Sequence, residues 1–198
     1  MTTKVVNTSR RRLLTSITAG FGAVGAGFVA VPFLGSWLPS ERTKAAGAPV
    51  EVDISKIEKG MMISAKWRGK PVFILRRTPE QLEDLKTMTN SGKLRDPESK
   101  KETQQPNYAQ NEFRSIKDEY LVMIGICTHL GCAPTHKPEA GSLTAGLPGG
   151  YFCPCHGSKF DQAGRVYDGV PAQSNLVVPP HYYINDSLIL VGEDKGEA

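Results

Sequence analysis

Two short blocks decide how this chain reads: Cys127-Thr128-His129-Leu130-Gly131-Cys132 and Cys153-Pro154-Cys155-His156-Gly157-Ser158. They hold all four cysteines, and each supplies two cysteines and one histidine among turn-forming residues. Two plain disulfides would suit an exported protein but give the histidines no role. A structural zinc site could take two Cys and two His, leaving two thiols over. Haem attachment needs Cys-x-x-Cys-His, and Cys153-Pro154-Cys155-His156 is Cys-x-Cys-His, so that reading fails. A [2Fe–2S] cluster held by one Cys and one His from each block gives both histidines work.

Outward from these blocks, the chain reads as short strands divided by turns, with no internal repeat. Val50 to Ile54 alternates like a half-buried strand, and Lys66 to Leu75 reads as a hairpin turning at Arg68-Gly69-Lys70. Tyr120 to Ile126 is an apolar run suited to a buried strand. Asn175 to Val178, Tyr182 to Ile184 and Ser187 to Val191 read as further strands, the last two joined through Asn185-Asp186. One helix interrupts them: Thr78 caps it, Pro79 fits its first position, Gln81 completes a capping box, and Leu82, Leu85 and Met88 form its apolar stripe. Residues 90–112 turn charged and Gln/Asn-rich, an expected surface excursion rejoining the sheet near Phe113. The fold class is mostly β, with an inserted helix and loop.

At 198 residues the chain allows one ordinary domain and an appendage. The net charge of +4 lies wholly in residues 1–40, which carry Lys4, Arg10, Arg11 and Arg12 and no acid. Beyond them 20 basic and 20 acidic residues cancel. A broadly basic nucleic-acid-binding domain is thereby excluded. No charged side chain occurs from Leu13 through Ser40, and Ile17–Leu38 would span about 33 Å as a helix, enough for a ~30 Å hydrocarbon core. Ser9 to Leu14, with its consecutive arginines, resembles a twin-arginine export signal. The small-residue site Ala46-Gly47-Ala48 lies far beyond Leu38 and precedes Pro49, so an uncleaved anchor is expected rather than a removed leader. The positive-inside rule places the basic end in the cytoplasm. The expected organisation is a cytoplasmic arm over 1–16, an anchor over 17–38, a flexible neck over 39–49 and a head over 50–198.

At the two Cys/His blocks the sequence resembles the Rieske iron–sulfur proteins, and within them the quinol-oxidising branch found in bacterial cytochrome bc1 complexes. The shared pattern is Cys-x-His followed by Cys-x-x-His, with an extra cysteine in each block. The anchor, the Ala-rich neck, Arg77-Thr78-Pro79-Glu80-Gln81 and Leu94-Arg95-Asp96-Pro97 extend the likeness over nearly the whole chain. The resemblance implies antiparallel sheets with a cluster-binding subdomain at about residues 120–165. It implies that Cys127 and Cys153 bind the inner iron, His129 and His156 the outer iron, and that Cys132 and Cys155 form a disulfide joining the blocks. It implies one [2Fe–2S] cluster, a quinol substrate, cytochrome b and cytochrome c1 as partners in a dimeric complex, and a head on the periplasmic side of the bacterial inner membrane. Nucleic acid has no part in it. The runner-up is the Rieske subunit of a periplasmic oxidase such as arsenite oxidase; a soluble ring-hydroxylase ferredoxin is disfavoured by Cys132, Cys155 and the anchor.

The chemistry accords with those residue types. Neutral imidazoles in place of two thiolates remove negative charge and raise the potential into the range of about −150 to +300 mV. Iron coordination also acidifies the far N–H of an imidazole, so a proton can travel with the electron. By family pattern, the histidine ligands would meet the quinol and the Ser158 hydroxyl would donate to a bridging sulfide. Phe160 stands where many relatives have a tyrosine that donates to a cysteine sulfur, which predicts a lower potential than theirs. Gly169-Val170-Pro171-Ala172-Gln173 resembles the proline-rich segment covering the cluster, but Gln173 replaces the usual second proline and predicts a looser cover. The 23 residues between His129 and Cys153 outnumber those of many relatives. His136 reads as a spare loop histidine, His181 as a strand-edge residue, Trp67 and Phe73 as packing groups, and Asp161 and Asp168 as turn or hydrogen-bonding residues.

Overall fold

A computed structural model describes residues 7–194 of the chain. Lys4 of the basic arm lies outside these residues. Helix α1 runs Thr8–Gly35, beginning before the arginines and ending short of Leu38. The Asn7 side chain accepts from the Arg10 backbone N–H at 3.1 Å, which starts the helix early. At the other end Ser36 donates to Pro32 and Leu34 carbonyls and closes it. None of its residues is buried, and it is long and apolar enough to cross a membrane. The stretch read as a neck contains a six-residue helix, α2 (Glu41–Ala46), nucleated by Ser40, whose hydroxyl accepts from the Thr43 N–H at 3.2 Å.

Among the described residues of the head, nine strands form three antiparallel sheets. In the first, β1 (Val50–Asp53) pairs with β9 (Leu188–Val191), which pairs with β8 (His181–Asn185). In the second, β2 (Met62–Trp67), β3 (Lys70–Arg76) and β4 (Tyr120–Ile124) lie in order. The third holds β5 (Thr135–Lys137), β6 (Gly150–Phe152) and β7 (Lys159–Asp161). The mostly-β class expected from the sequence holds. Helix α3 (Pro79–Thr89) begins with the expected capping box, Thr78 accepting from the Gln81 N–H and Gln81 accepting from the Thr78 N–H.

The second sheet is the spine because both its faces are buried. Val72, Ile74, Val122 and Ile124 enter one core with Val52, Ile54 and Ile189. Their neighbours Phe73, Leu75, Leu121 and Met123 enter another, with Cys127, Tyr151, Cys153, Phe160 and Leu176. Period-2 alternation across two apolar faces turns β3 and β4 into continuous apolar runs. The second core holds both cysteines read as iron ligands.

Several readings need correction. Residues 175–178 are not a strand. Ile124 N–H donates to the Val177 carbonyl and Val178 N–H to the Gln104 carbonyl, but Pro179 and Pro180 lack the donors a ladder would need. Phe113 lies in a turn, and the sheet is rejoined only at Tyr120. The 90–112 excursion is not merely superficial: Leu94, Ser99, Gln104, Gln105 and Ala109 are buried, and Leu94 bridges to Tyr167.

Candidate metal centre

The two Cys/His blocks adopt one backbone design. In the first, Cys127 N–H donates to the Cys132 carbonyl at 2.8 Å and Gly131 N–H to the Cys127 carbonyl at 3.0 Å. In the second, Cys153 N–H donates to the Ser158 carbonyl at 2.8 Å and Gly157 N–H to the Cys153 carbonyl at 2.9 Å. Gly131 and Gly157 occupy the same place with φ of +88° and +76°, a conformation an L side chain rarely adopts. Each block is therefore a tight loop opening on a cysteine and closing through a left-handed glycine. The first hangs beyond β4; the second joins β6 to β7.

The donors sort by burial. Cys127 and Cys153 are free thiols, each 2% exposed, at the floor of the site. His129 is half-buried and His156 exposed, and their rings stand edge to face with centroids 4.8 Å apart. Cys132 and Cys155 form a disulfide linking the loops. The sulfurs of Cys132, Cys153 and Cys155 lie within 4.8 Å of one another, so the disulfide sits against one of the thiols. Burial pushes the Cys127 thiol up, and Cys153 adds to that push; the His129 backbone N–H and the Ser158 hydroxyl act the other way. Two buried thiols and two more accessible imidazoles form a donor set split into a soft, dry side and a neutral, wet side. That set fits an asymmetric iron–sulfur cluster.

Segment 168–174 is tied to both loops. The Ala172 N–H donates to the buried Ser158 hydroxyl at 3.0 Å, and the Thr128 hydroxyl donates to the Ser174 carbonyl at 2.5 Å. Gln173, expected to loosen this cover, instead has its own fastening: its carbonyl oxygen accepts from Arg95 Nη1 at 2.5 Å, and its amide donates to the Pro171 carbonyl at 3.0 Å. Phe160 is fully buried, paired across the sheet with Tyr151 and packed in the core that holds both free cysteines.

Under the second loop lies a feature the sequence reading missed. Arg77, Arg114 and Arg165 are fully buried, with Asp161 as their one buried carboxylate among the described residues. Asp161 accepts from the Ala163 and Arg165 backbone N–H groups and from Arg165 Nε at 2.7 Å, holding the turn after β7. Arg77 donates to the carbonyls of Phe113, Asp118 and Gln162; Arg114 donates to those of Gln104 and Ala163. Burial pulls both guanidinium groups down to about 10, which still leaves them charged at neutral pH. They satisfy carbonyls of irregular backbone that no ladder reaches. In sequence each is an ordinary arginine beside a turn; a motif would have been needed to single one out.

The remaining residues have ordinary roles. His136 contacts the Gln162 side chain at 3.1 Å and stacks on Tyr151, and burial lowers its pKa. His181 opens the edge strand β8, buried, with Nδ1 2.9 Å from the Pro179 carbonyl. Asp168 is exposed and pairs with Arg95.

Comparison with known proteins places the chain in a family. Residues 49–180 match the Rieske [2Fe–2S] domain, and residues 1–40 match the export-signal segment of the ubiquinol–cytochrome c reductase Fe–S subunit. The ubiquinol–cytochrome c reductase iron–sulfur subunit of Allochromatium vinosum is 56% identical, covering 100% of this chain and 95% of its own. Its namesake in Bradyrhizobium diazoefficiens is 40% identical, over 93% of this chain and 94% of that one. Among solved structures, a chain of a hyperthermophilic respiratory Complex III is 28% identical with a TM-score of 0.46, covering 87% of this chain and 98% of that one. The periplasmic-oxidase alternative finds no support in these relatives.

Proposed function

We infer the function from one premise: the chain belongs to the Rieske [2Fe–2S] family. It is the iron–sulfur subunit of a ubiquinol–cytochrome c reductase, taking one electron and a proton from quinol and passing the electron to cytochrome c1. The observation that carries this reading is the sorting of donors, with both thiols buried and both imidazoles reaching the surface. A cluster bound by two thiolates and two imidazoles supplies a one-electron couple in the range of about −150 to +300 mV.

The chain's own groups supply the rest. Cys127 and Cys153, buried in the dry core, would hold the cluster by thiolates, and His129 and His156 would hold it by imidazoles on the side where substrate can arrive. The imidazole nitrogen of His129 or His156 that is not used in binding would hold a proton from quinol. The disulfide and segment 168–174 keep bulk water from the thiolate side. Leu130, 72% exposed between His129 and Gly131, offers an apolar edge beside the imidazoles for a membrane-embedded partner such as cytochrome b. Helix α1 anchors the subunit, its arginine end in the cytoplasm and its head in the periplasm. The neck tethers the head between donor and acceptor cytochromes.

Electron paramagnetic resonance on the dithionite-reduced, metal-replete protein tests the centre. A rhombic signal with average g below 2 is expected; a silent spectrum overturns the assignment. Reduction of the centre by quinol, blocked by an inhibitor of the quinol site, tests the substrate.

A further inference from the structure

Arg95 lies outside both Cys/His loops, yet one guanidinium gathers the segment that covers them. Its backbone is fixed first: Arg95 N–H donates to the Val166 carbonyl at 3.0 Å, and Asp168 N–H donates to the Lys93 carbonyl at 2.9 Å on the other side of the Leu94–Tyr167 bridge. The side chain then reaches across the turn. Nε and Nη2 donate to Asp168 Oδ1 at 3.3 and 3.2 Å. Nη1 donates to the Ala172 carbonyl at 3.2 Å and to the Gln173 side-chain oxygen. A planar fork with five N–H groups can serve three acceptors at once, which an ammonium on a flexible stem cannot do in one plane.

Ala172 is the link inward. Its carbonyl accepts from Arg95 while its N–H donates to the Ser158 hydroxyl oxygen, which is fully buried. Since that N–H occupies a lone pair of Ser158 Oγ, the hydroxyl's own proton is directed away from Ala172. The Ser158 carbonyl accepts from the Cys153 N–H, so this buried hydroxyl belongs to the residue that closes the loop opening on a free thiol. Thus a guanidinium, one residue's backbone and a buried hydroxyl form a polar chain ending inside the second Cys/His loop.

We propose that Arg95 is a positioning residue for the redox centre: with Gln173 and Asp168 it clamps segment 168–174 so that Ala172 aims the Ser158 hydroxyl at the sulfurs. The clamp replaces the stiffness that a proline at 173 would give, by hydrogen bonds instead of by a fixed φ. This rests on the Rieske reading of the site. The clamp itself can nevertheless be read without the redox centre.

The test uses the full-length, cluster-loaded protein in detergent. Hydrogen-exchange mass spectrometry on the peptide containing 168–174 reads the clamp, and a redox titration followed by electron paramagnetic resonance reads the hydroxyl. Arg95→Ala should speed exchange in that peptide at least tenfold and lower the midpoint potential by less than Ser158→Ala does. In a Ser158→Ala background, Arg95→Ala should lower it no further, because the two act in series. Arg95→Lys should fall between wild type and Arg95→Ala, and adding Gln173→Pro to Arg95→Ala should restore slow exchange and the potential. Should Arg95→Ala fail to hold its centre, Gln173→Ala carries the same readouts with one acceptor lost. Unchanged exchange, or a fall in potential that simply adds to that of Ser158→Ala, overturns the proposal. Loss of the rhombic signal from the wild-type protein would strike the Rieske reading instead, leaving the exchange result to judge the clamp.

Discussion

Loop Cys127–Cys132 and loop Cys153–Ser158 close with the same pair of hydrogen bonds and the same left-handed glycine, yet one ends on a cysteine and the other on a serine. The first loop's last residue enters the disulfide, a covalent tie to its partner loop. The second loop's last residue is a buried hydroxyl bonded to Ala172. A repeated backbone therefore supplies two equal first positions for thiols. The sixth position is free to differ: on one side it fixes the loops together, and on the other it adjusts the electrostatics. The histidines differ as well, since a shift of one position within the design leaves His129 half-buried and His156 exposed.

Each side of this comparison can be broken. The largest effect is expected from Cys127→Ala or Cys153→Ala: either should abolish the rhombic resonance signal and bound iron together. A variant that keeps full iron would show the first positions to be unequal. Next, Cys132→Ser and Cys155→Ser should each destabilise the head by about 3 kcal/mol in denaturant titration, from loss of a crosslink of this loop size. The double variant should be no worse than either single one, because a half-disulfide contributes nothing. Ser158→Ala should leave stability closer to wild type and lower the midpoint potential, since a hydroxyl no longer withdraws charge from sulfur. Phe160→Tyr, within the core shared by both thiols, should move the potential upward; an unchanged potential means its hydroxyl reaches no sulfur.

The smallest effect concerns His136, on β5 after the first loop, which has no counterpart after the second. Burial lowers its pKa and that of His181, so the folded state resists a proton that the unfolded chain accepts. Stability should therefore be fully present above the ordinary histidine value of about 6.5 and decline as pH falls through the lower folded values. His136→Gln should flatten part of that decline in urea titrations at stepped pH.

Much of this site was legible because its residues are chemically rare. Two spaced Cys/His blocks leave few uses, and β4 announced itself as an apolar run, the hairpin of β2 and β3 by its turn at Arg68-Gly69-Lys70, and α3 by its capping. The three-residue strands β5, β6 and β7 were not legible, since three residues carry no period. Asn175 to Val178 looked like a strand because it is apolar, although its backbone bonds go singly to different partners. The partners of Gln173 are hidden from the sequence for a related reason. Losing a proline is visible in sequence, whereas its replacement by a guanidinium 78 positions away appears only in three dimensions.

The buried arginines carry one more consequence. Residues 41–194 hold equal numbers of acids and bases, but three of the bases and only one of the acids lie in the interior. The water-facing part of residues 41–194 is thus two acids in excess, although the sequence pI is near 8.9. A redox partner approaching through solvent meets an acidic skin around a cationic interior. Encounter with a basic face should be favoured at low ionic strength and screened within a Debye length of about 8 Å at physiological salt.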